Sequence, residues 1–287
     1  MDTNKDNVAV SALYTAGTWQ WAGLPGSDAV TPADSERVFS FVNRYMVFYT
    51  FLNPKTFSLR HQLLHRHTAI DYLREQSGCT RTVEVACGFS PRGASVSADP
   101  AQEYIEIDLP DMITFKERQL QKSAEGRQVL ARDNFKLRPD NILTLDFVAN
   151  FADRRTAVIT EGLMMYFTRE QQLPIWQSIA RLVNTTDGVY LFDYIPLSEE
   201  PARSWLGAIL HFFRVKLFGK GDFAYDQRNR EDVAQDLRAS GFGQVESFIT
   251  GEVASLWNLP QANVPSRTII YRCSASSMAQ IATEEPI

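Results

Sequence analysis

Residues 82–93 of the chain join a short apolar strand to a glycine-containing loop, and this layout constrains the fold more than any other segment. The strand breaks at Gly88, and a basic stretch that ends in Gly93 follows it. Glycine lacks a Cβ atom and tolerates positive φ, so the backbone at such a turn can pass close to a ligand. Open α/β sheets bind ligands beyond the carboxyl ends of their strands. The segment therefore predicts an open α/β sheet with a ligand site above Gly88.

A second segment, residues 103–110, alternates apolar and polar side chains and carries carboxylates at Glu106 and Asp108. Asp108 lies roughly twenty residues beyond Gly88, where doubly wound folds place the acid that holds the ribose hydroxyls of a nucleotide. A carboxylate at the end of a buried strand is costly unless it is hydrogen-bonded, which favours a functional role. We therefore predict a bound adenosine, with either Asp108 or Glu106 accepting the ribose hydroxyls and the other acid serving the structure.

The glycine spacing of the loop discriminates between two candidate cofactors that contain adenosine, NAD and S-adenosylmethionine. A dinucleotide site normally has the pattern G-x-G-x-x-G, so that a pyrophosphate can rest on the amino terminus of a helix. Here Ala86 occupies the place of the first glycine, and Pro91 and Arg92 stand where a pyrophosphate needs small residues and free amides. S-adenosylmethionine, which has no phosphate, is therefore the favoured ligand, and NAD is the weaker alternative.

Four ordered segments match the motifs of one enzyme family. They are Arg-His-Thr-Ala-Ile-Asp at residues 66–71, Gly-Phe-Ser-Pro-Arg at 88–92, Glu-Ile-Asp-Leu-Pro at 106–110 followed by Lys116, and Thr-Glu-Gly-Leu-Met-Met-Tyr-Phe at 160–167. In this order they resemble the leucine carboxyl methyltransferases, a family of class I S-adenosylmethionine-dependent methyltransferases, including its bacterial small-molecule O-methyltransferase branch. The chain departs from the family at residues 86–88, where Ala-Cys-Gly replaces Gly-Ala-Gly, and at Ser90-Pro91, which replaces Asp-Thr.

The resemblance implies a fold, a cofactor and a set of site residues. The fold is the Rossmann-like class I methyltransferase sheet, with seven mainly parallel strands, an antiparallel edge pair and an N-terminal helical cap. The cofactor is S-adenosyl-L-methionine, and Arg66 grips the carboxylate of its methionine portion. The alternative for Arg66 is a surface ion pair with Asp71. Asp146 and Phe147 are implied near the adenine amine. The predicted cofactor-binding residues are Arg66, Glu84, Ala86, Gly88, Arg92, Glu106, Asp108, Asp146, Phe147, Glu161 and Gly162.

Strand and helix signals alternate through the second part of the chain, which predicts a mainly parallel sheet covered on both faces. The predicted strands are residues 81–86, 103–108, 142–146, 156–160, 189–195, 244–250 and 267–273. No helix-length segment joins the last two strands, so we expect them to form the antiparallel edge pair. The predicted organisation is a helical cap at residues 1–78, broken near Asn53-Pro54, a methyltransferase core at 79–275 with a lid-like insertion near 197–228, and a flexible tail at 276–287.

Composition narrows the cellular setting and the partners. The chain has 287 residues, 44% of them hydrophobic, and a net charge of −5, which argues against nucleic acid as a partner because such binding normally needs a basic face. Three cysteines without metal-ligand spacing argue against a disulfide framework or a zinc site. No signal segment stands out, and the apolar residues 39–52 are too short a run to span a bilayer. We expect a cytoplasmic monomer or homodimer that acts on a small molecule.

A metal site is the alternative use of the histidines near residue 65. His61 and His65 are four residues apart, so one helix face can align them. No glutamate-based zinc motif accompanies them, and methyl transfer to a carboxylate needs no metal. We therefore expect no metal site and assign these histidines to the surface or to packing of the cap.

The residues expected to face the substrate do not determine the chemical class of the methyl acceptor. Glu161 follows an apolar strand and is expected over the cofactor crevice, the alternative being a buried carboxylate that caps amides. A carboxylate acceptor is ionised at neutral pH and needs no general base, whereas a phenol or hydroxyl acceptor benefits from one. The candidates for such a base are Tyr166, His211 and Tyr14.

The apolar segment 205–218 has basic edges. It predicts a lid over an apolar acceptor, a partner surface or a membrane-surface helix, with a buried packing helix as the alternative. We predict O-methylation of a carboxylate on a small, largely apolar molecule of secondary metabolism, and phenol or hydroxyl methylation as the alternative. From other classes, an NAD-dependent oxidoreductase and an inactive scaffold with this fold remain open.

Overall fold

Seven strands form one sheet in the computed structural model, which describes residues 10–52, 58–194 and 228–275 and, for residues 45–52, the backbone alone. In chain order the strands are β1 (Arg81–Val85), β2 (Glu103–Asp108), β3 (Phe135–Pro139), β4 (Thr156–Thr160), β5 (Val189–Tyr194), β6 (Gln244–Ile249) and β7 (Ile269–Ser274). Six of the predicted strands end within two residues of the observed ones. The predicted seven-stranded sheet is confirmed.

The order of the strands creates a ligand crevice. It is β3-β2-β1-β4-β5-β7-β6, with β1 parallel to both β2 and β4 and with β7 antiparallel between β5 and β6. The predicted antiparallel edge pair is therefore confirmed as β6 and β7. The direction of winding reverses between β1 and β4, and open α/β sheets bind ligands outside the carboxyl ends of the strands at such a point.

The predicted strand at residues 142–146 is wrong, and β3 lies further toward the N-terminus. Residues 135–138 read Phe-Lys-Leu-Arg, an alternation of apolar and basic side chains that suits an edge strand with one solvated face. In the segment 142–146 the buried side chains are Ile142 and Leu145, which pack into the core from a turn. A spacing of three residues between them does not fit the period of two that a strand requires.

Helices cover both faces of the sheet. They are α1 (Val10–Trp21), α2 (Ser27–Val30), α3 (Asp34–Leu52), α4 (Leu59–Gln76), α5 (Arg92–Val96), α6 (Pro110–Gln121), α7 (Ala124–Leu130), α8 (Phe147–Phe151), α9 (Arg169–Thr186), α10 (Arg230–Ala239) and α11 (Thr250–Val253), with a 3-10 turn at Met164–Tyr166. Neighbouring residues of a strand point to opposite faces. In β4, Ile159 packs in the cluster that contains α4 side chains, and Val158 in the one that contains α9 side chains. Full burial of such a side chain contributes about 1.5–3 kcal/mol.

Within the described residues, four helices precede β1, and the helical cap at residues 1–78 stays a prediction. The predicted break near Asn53-Pro54 falls between α3 and α4, on residues outside the description. The insertion near 197–228 and the tail at 276–287 also fall outside it, apart from residue 228, so these boundaries stay predictions. Within the described ranges, no helix combines the length and the apolar character that crossing a membrane requires.

Candidate functional site

Five of the predicted cofactor-binding residues meet at the carboxyl ends of three neighbouring strands. Ala86 and Gly88 follow β1, Asp108 ends β2, and Glu161 and Gly162 follow β4. Because β1 lies between β2 and β4, these residues share one edge of the sheet. All five are half-buried rather than enclosed, so a ligand can reach this edge. We call it the open edge.

The loop after β1 turns sharply because two of its residues have positive φ, 57° at Ala86 and 48° at Gly88. The amide of Gly88 donates to Asp108 Oδ2 at 2.8 Å, and the amide of Leu109 donates to Oδ1 at 2.8 Å. A Cβ atom placed on Gly88 would have Ala12 Cβ, at 4.0 Å, as its nearest contact. The space above Gly88 therefore admits a ligand, with α1 on its far side.

The positive φ of Ala86 gives a first prediction. A left-handed conformation costs an L-residue about 1–2 kcal/mol, and glycine avoids this cost while losing more entropy on folding. We therefore expect Ala86→Gly to raise the free energy of unfolding by about 0.5–1 kcal/mol in urea titrations. Ala239→Gly, in the ordinary helix α10, serves as the control and should lower it by a similar amount. A loss of stability in Ala86→Gly would contradict the strained turn.

Four of the predicted cofactor-binding residues have enclosed side chains, and their contact with a cofactor stays a prediction. The exposed fraction is 1% for Glu84, 2% for Arg92, and 0% for Glu106 and Phe147. Glu84 accepts hydrogen bonds from Tyr104 and Arg92, and Phe147 packs in the core. In this structure the contacts of these side chains are therefore with other residues of the chain.

Glu161 is the centre of an ion-pair network. Its Oε1 accepts from Arg66 Nε at 2.9 Å, and its Oε2 accepts from Arg92 Nη2 at 2.7 Å and lies 2.9 Å from His67 Nδ1. Burial alone would raise the pKa of Glu161, but His67, Arg66 and Arg92 hold it well below its usual range. The carboxylate is therefore ionised at neutral pH. The alternative of a carboxylate that caps amides is wrong, because its partners are the side chains of Arg66, Arg92 and His67.

Arg66 pairs with the carboxylates of Glu161 and Asp193. It does not form the surface ion pair with Asp71 that was the alternative prediction. Asp71 pairs with Arg92 instead. The Arg66 guanidinium donates from Nε to Glu161 and from Nη1 to Asp193 Oδ2 at 3.3 Å. Burial would lower the pKa of Arg66, yet Asp193 and Glu161 raise it. Within the described residues nothing accepts from Nη2, so one edge of the guanidinium remains for a ligand.

Asp193 is the site residue that the sequence analysis missed. It lies one residue before the end of β5, inside an otherwise apolar strand of aromatic and aliphatic side chains. A lone carboxylate in such a strand is costly without partners, and that cost was the signal available in the sequence. Its partners come from α4 and from the turn after β4, which no local pattern connects to β5.

Glu106 is the structural acid of its pair, and Asp108 is the one at the open edge. Lys116 Nζ lies 2.5 Å from Glu106 Oε2 and donates to the Ser90 carbonyl at 2.8 Å, and both charged side chains are fully buried. Burial raises the pKa of Glu106 to about 7, against the opposing effect of Lys116. Lys116 therefore joins β2 to the loop after β1.

Asp146 begins a helix rather than ending a strand. Its Oδ1 accepts from the amide of Ala149 at 3.0 Å, which makes it the N-cap of α8. The residue is exposed and follows β3 at the carboxyl side of the sheet. Its predicted place near the adenine amine stays a prediction.

The tyrosines proposed as bases are held in their protonated form. Burial raises the pKa of Tyr166, whose phenol is hydrogen-bonded to the side chain of Ser11 in α1. Burial also raises the pKa of Tyr14, whose hydroxyl donates to Asn43 Oδ1 at 3.2 Å. At neutral pH both are neutral phenols. The third candidate, His211, lies outside the described residues.

The histidines of α4 contact separate partners. His61 Nε2 lies 2.7 Å from Gln261 Oε1, and His65 Nδ1 lies 2.8 Å from Ser266 Oγ. Their spacing therefore serves the packing of α4 against the segment before β7. The Cys87 thiol is free and buried in the loop after β1.

Residues 53–180 match the family model of the leucine carboxyl methyltransferases. Among solved structures, the chain is similar to the S-adenosylmethionine-dependent methyltransferase SibL in its apo form, at 16% identity and a TM-score of 0.50, over 92% of this chain and 69% of that one. It is also similar to an O-methyltransferase family protein from Burkholderia thailandensis, at 14% identity and a TM-score of 0.52, over 94% of this chain and 73% of that one.

The family match spans the segment that carries Arg66, Gly88, Asp108 and Glu161. The similar structures share the fold. In this chain Gly88, Asp108 and Glu161 lie at the open edge, and Arg66 pairs with Glu161. Both the predicted resemblance and the predicted fold are confirmed. The match over residues 53–180, together with the shared fold, supports an S-adenosylmethionine-dependent methyltransferase.

Proposed function

We propose that the chain methylates a carboxylate oxygen of a small, largely apolar molecule. The observation that carries this proposal is the state of the ionisable groups near the open edge. Glu161 is ionised but held by the guanidinium groups of Arg66 and Arg92 and by His67, Asp108 is bonded to two amides, and Tyr166 is protonated. Among the described residues, none of these groups is suited to take a proton from an acceptor. An acceptor that needs no base fits this environment.

A carboxylate acceptor does not require a general base from the protein. A carboxylate with an ordinary pKa is ionised at neutral pH, so its oxygen reacts without losing a proton. S-adenosylmethionine supplies a methyl group that its sulfonium already activates. The residues of the chain then have to orient the acceptor and exclude water. Half-buried Leu163 and Phe167, which follow Gly162, and the apolar segment 205–218 of the sequence support an apolar acceptor.

The residues of the open edge fit the methyl donor. A carboxylate has about four lone-pair sites, so Asp108 can accept ribose hydroxyls in addition to its two amide bonds. Gly88 leaves room for close approach, and the free edge of Arg66 suits the carboxylate of the methionine portion. Asp146 is proposed for the adenine amine. Ala86 and Gly162 are proposed to contact the ligand through their backbones.

The role of Arg66 can be tested by substitution. A hydrogen bond to a charged group contributes about 1.5–3 kcal/mol, so we expect Arg66→Ala to weaken adenosylhomocysteine binding by that amount in isothermal titration. Arg60→Ala is the matched control, because Arg60 lies on the same helix but stacks on Trp21, with its guanidinium 4.4 Å from the ring centroid. Unchanged affinity in Arg66→Ala would refute the assignment, as would stabilisation of the chain by NAD in place of adenosylhomocysteine.

The ionisation state of the acceptor predicts how the reaction rate depends on pH. Because a carboxylate acceptor stays ionised from pH 6 to 9, the single-turnover rate should be nearly flat over that range. The measurement uses small acids and phenols that accept methyl from labelled cofactor. A methylated phenol, with the corresponding acids inert and a rate that rises with pH, would replace the proposal by its alternative. His211→Ala and Tyr166→Phe would then identify the base.

A further inference from the structure

Asp193 occupies an unusual place for a charged residue. Its side chain is fully buried near the end of β5, next to Phe192 and Tyr194 of the same strand. Such a charge is retained only where its hydrogen bonds offset the cost of burial. The partners of Asp193 therefore indicate what it does.

Those partners are two groups at the site of the methionine portion. Asp193 Oδ1 accepts from the amide of Gly162 at 2.5 Å, and Oδ2 accepts from Arg66 Nη1 at 3.3 Å. One carboxylate thus joins the turn after β4 to the guanidinium on α4. With Glu161 on Nε, the plane of the guanidinium is fixed at two of its three nitrogens.

The remaining edge of Arg66, between Nη1 and Nη2, depends on Gly162. A Cβ atom on residue 162 would lie 3.2 Å from Nη1 and 3.3 Å from Nη2. The residue also has φ of +67°, which favours glycine. Gly162 therefore leaves space beside the edge with which a guanidinium binds a carboxylate in a bidentate manner. Asp193 fixes both sides of this space.

We propose that Asp193 is a positioning residue for the amino-acid portion of the cofactor, acting through Arg66 and Gly162. This inference rests on the proposed binding role of Arg66. It predicts that the carboxylate of Asp193 affects ligands that carry the methionine-type carboxylate and leaves the adenosine contacts at Gly88 and Asp108 unaffected.

The experiment compares two ligands that differ in this portion. Adenosylhomocysteine carries the amino acid, whereas 5′-methylthioadenosine lacks it. In isothermal titration of the full chain, Asp193→Asn should weaken adenosylhomocysteine by about tenfold or more and change 5′-methylthioadenosine by less than about twofold. Glu103→Gln is the matched control, since Glu103 pairs with Arg81 at the opposite, amino end of the sheet. It should change neither affinity.

The outcomes separate this inference from the proposed function. An equal loss for both ligands assigns Asp193 a merely structural role and overturns the inference, as does a loss for neither. If Asp193→Asn does not fold, Asp193→Glu keeps the charge but displaces the guanidinium, and the same selective loss is expected of it. If Arg66→Ala binds adenosylhomocysteine normally, the proposed function itself fails, whereas a loss in Arg66→Ala without one in the Asp193 variants overturns the inference alone.

Discussion

Gly88→Val should lower the affinity for adenosylhomocysteine by about a hundredfold or more while the chain still folds. A Cβ atom on residue 88 would meet only Ala12 Cβ, at an ordinary contact distance of 4.0 Å, so we expect the branches of valine to occupy the space proposed for the ligand. Overpacking a filled site costs about 1–3 kcal/mol or more, and each 1.4 kcal/mol corresponds to about tenfold in affinity. Isothermal titration measures the loss, and thermal unfolding reports whether the fold survives.

The backbone strain of the substitution needs its own control, because valine at a positive φ is strained wherever it occurs. Gly23 provides this control, since it has φ of +65° and no atom within 4 Å of the place that a Cβ would take. Gly23→Val should lose stability to a similar extent and bind adenosylhomocysteine as the unmodified chain does. Normal binding in Gly88→Val, or an equal loss in both variants, would show that the loop after β1 is not the cofactor site.

The open edge was accessible from the sequence because its signals are local. Gly88, Asp108 and Glu161 each directly follow or end an apolar run that reads as a strand. The carboxyl ends of parallel strands meet at one edge of a sheet, so the fold class was enough to bring these residues together. Positions predicted in this way depend on the local pattern and on one topological rule.

The pairings within the site were not accessible in the same way. Arg66 and Asp193 are separated by 127 residues, and Arg92 and Glu161 by 69. A sequence shows that these residues are charged, but whether Arg92 points at a ligand or into the core depends on how α4 packs on the sheet. The sequence therefore predicts a ligand contact for Arg92, whereas in the structure Asp71, Glu84 and Glu161 surround its guanidinium.

The position of the edge strand β3 was predicted wrongly for a different reason. Its basic residues Lys136 and Arg138 lower its hydrophobicity below that of residues 142–145, Ile-Leu-Thr-Leu, although its alternation is that of a strand. The prediction favoured the more hydrophobic segment, residues 142–145, over the segment whose side chains alternate with the period of a strand. Period is the more reliable guide for a strand with one solvated face, because such a strand keeps only alternate side chains apolar.

The buried pair of Lys116 and Glu106 gives the largest expected effect on stability. Breaking a buried ion pair by removing one partner costs about 3–5 kcal/mol, because the other charge is left uncompensated. We expect Lys116→Met to lower the free energy of unfolding in urea titrations at pH 8, and the loss to approach this amount at higher pH, where Glu106 is ionised. Glu106 is fully buried, and its Oε1 packs so closely against Gly93 that a Cβ atom there would lie 2.3 Å from it. The control Lys136→Met, on the exposed face of β3, should change stability by less than about 1 kcal/mol.

The pH dependence of this loss follows from the protonation of Glu106. The folded chain holds the pKa of this carboxyl at about 7, above the value of about 4.3 expected when it is unfolded. The folded state therefore binds more protons between these values, and this contribution to stability decreases as pH rises through that window. Removing Lys116 raises the folded pKa further, so the loss in Lys116→Met should be small near pH 5 and should grow as pH rises above about 7. A loss independent of pH would exclude an uncompensated carboxylate as its cause.

A double variant separates the charge of this pair from its position. Lys116→Met with Glu106→Gln removes both charges, so it should recover most of the lost stability at pH 8, a coupling of about 1.5–3 kcal/mol. It does not restore the hydrogen bond from Lys116 Nζ to the Ser90 carbonyl, which anchors the loop that carries Gly88. We therefore expect the double variant to fold nearly as stably as the unmodified chain and still to bind adenosylhomocysteine more weakly. Full recovery of both properties would mean that the lysine serves stability alone, and additive losses would mean that the two charges do not compensate each other.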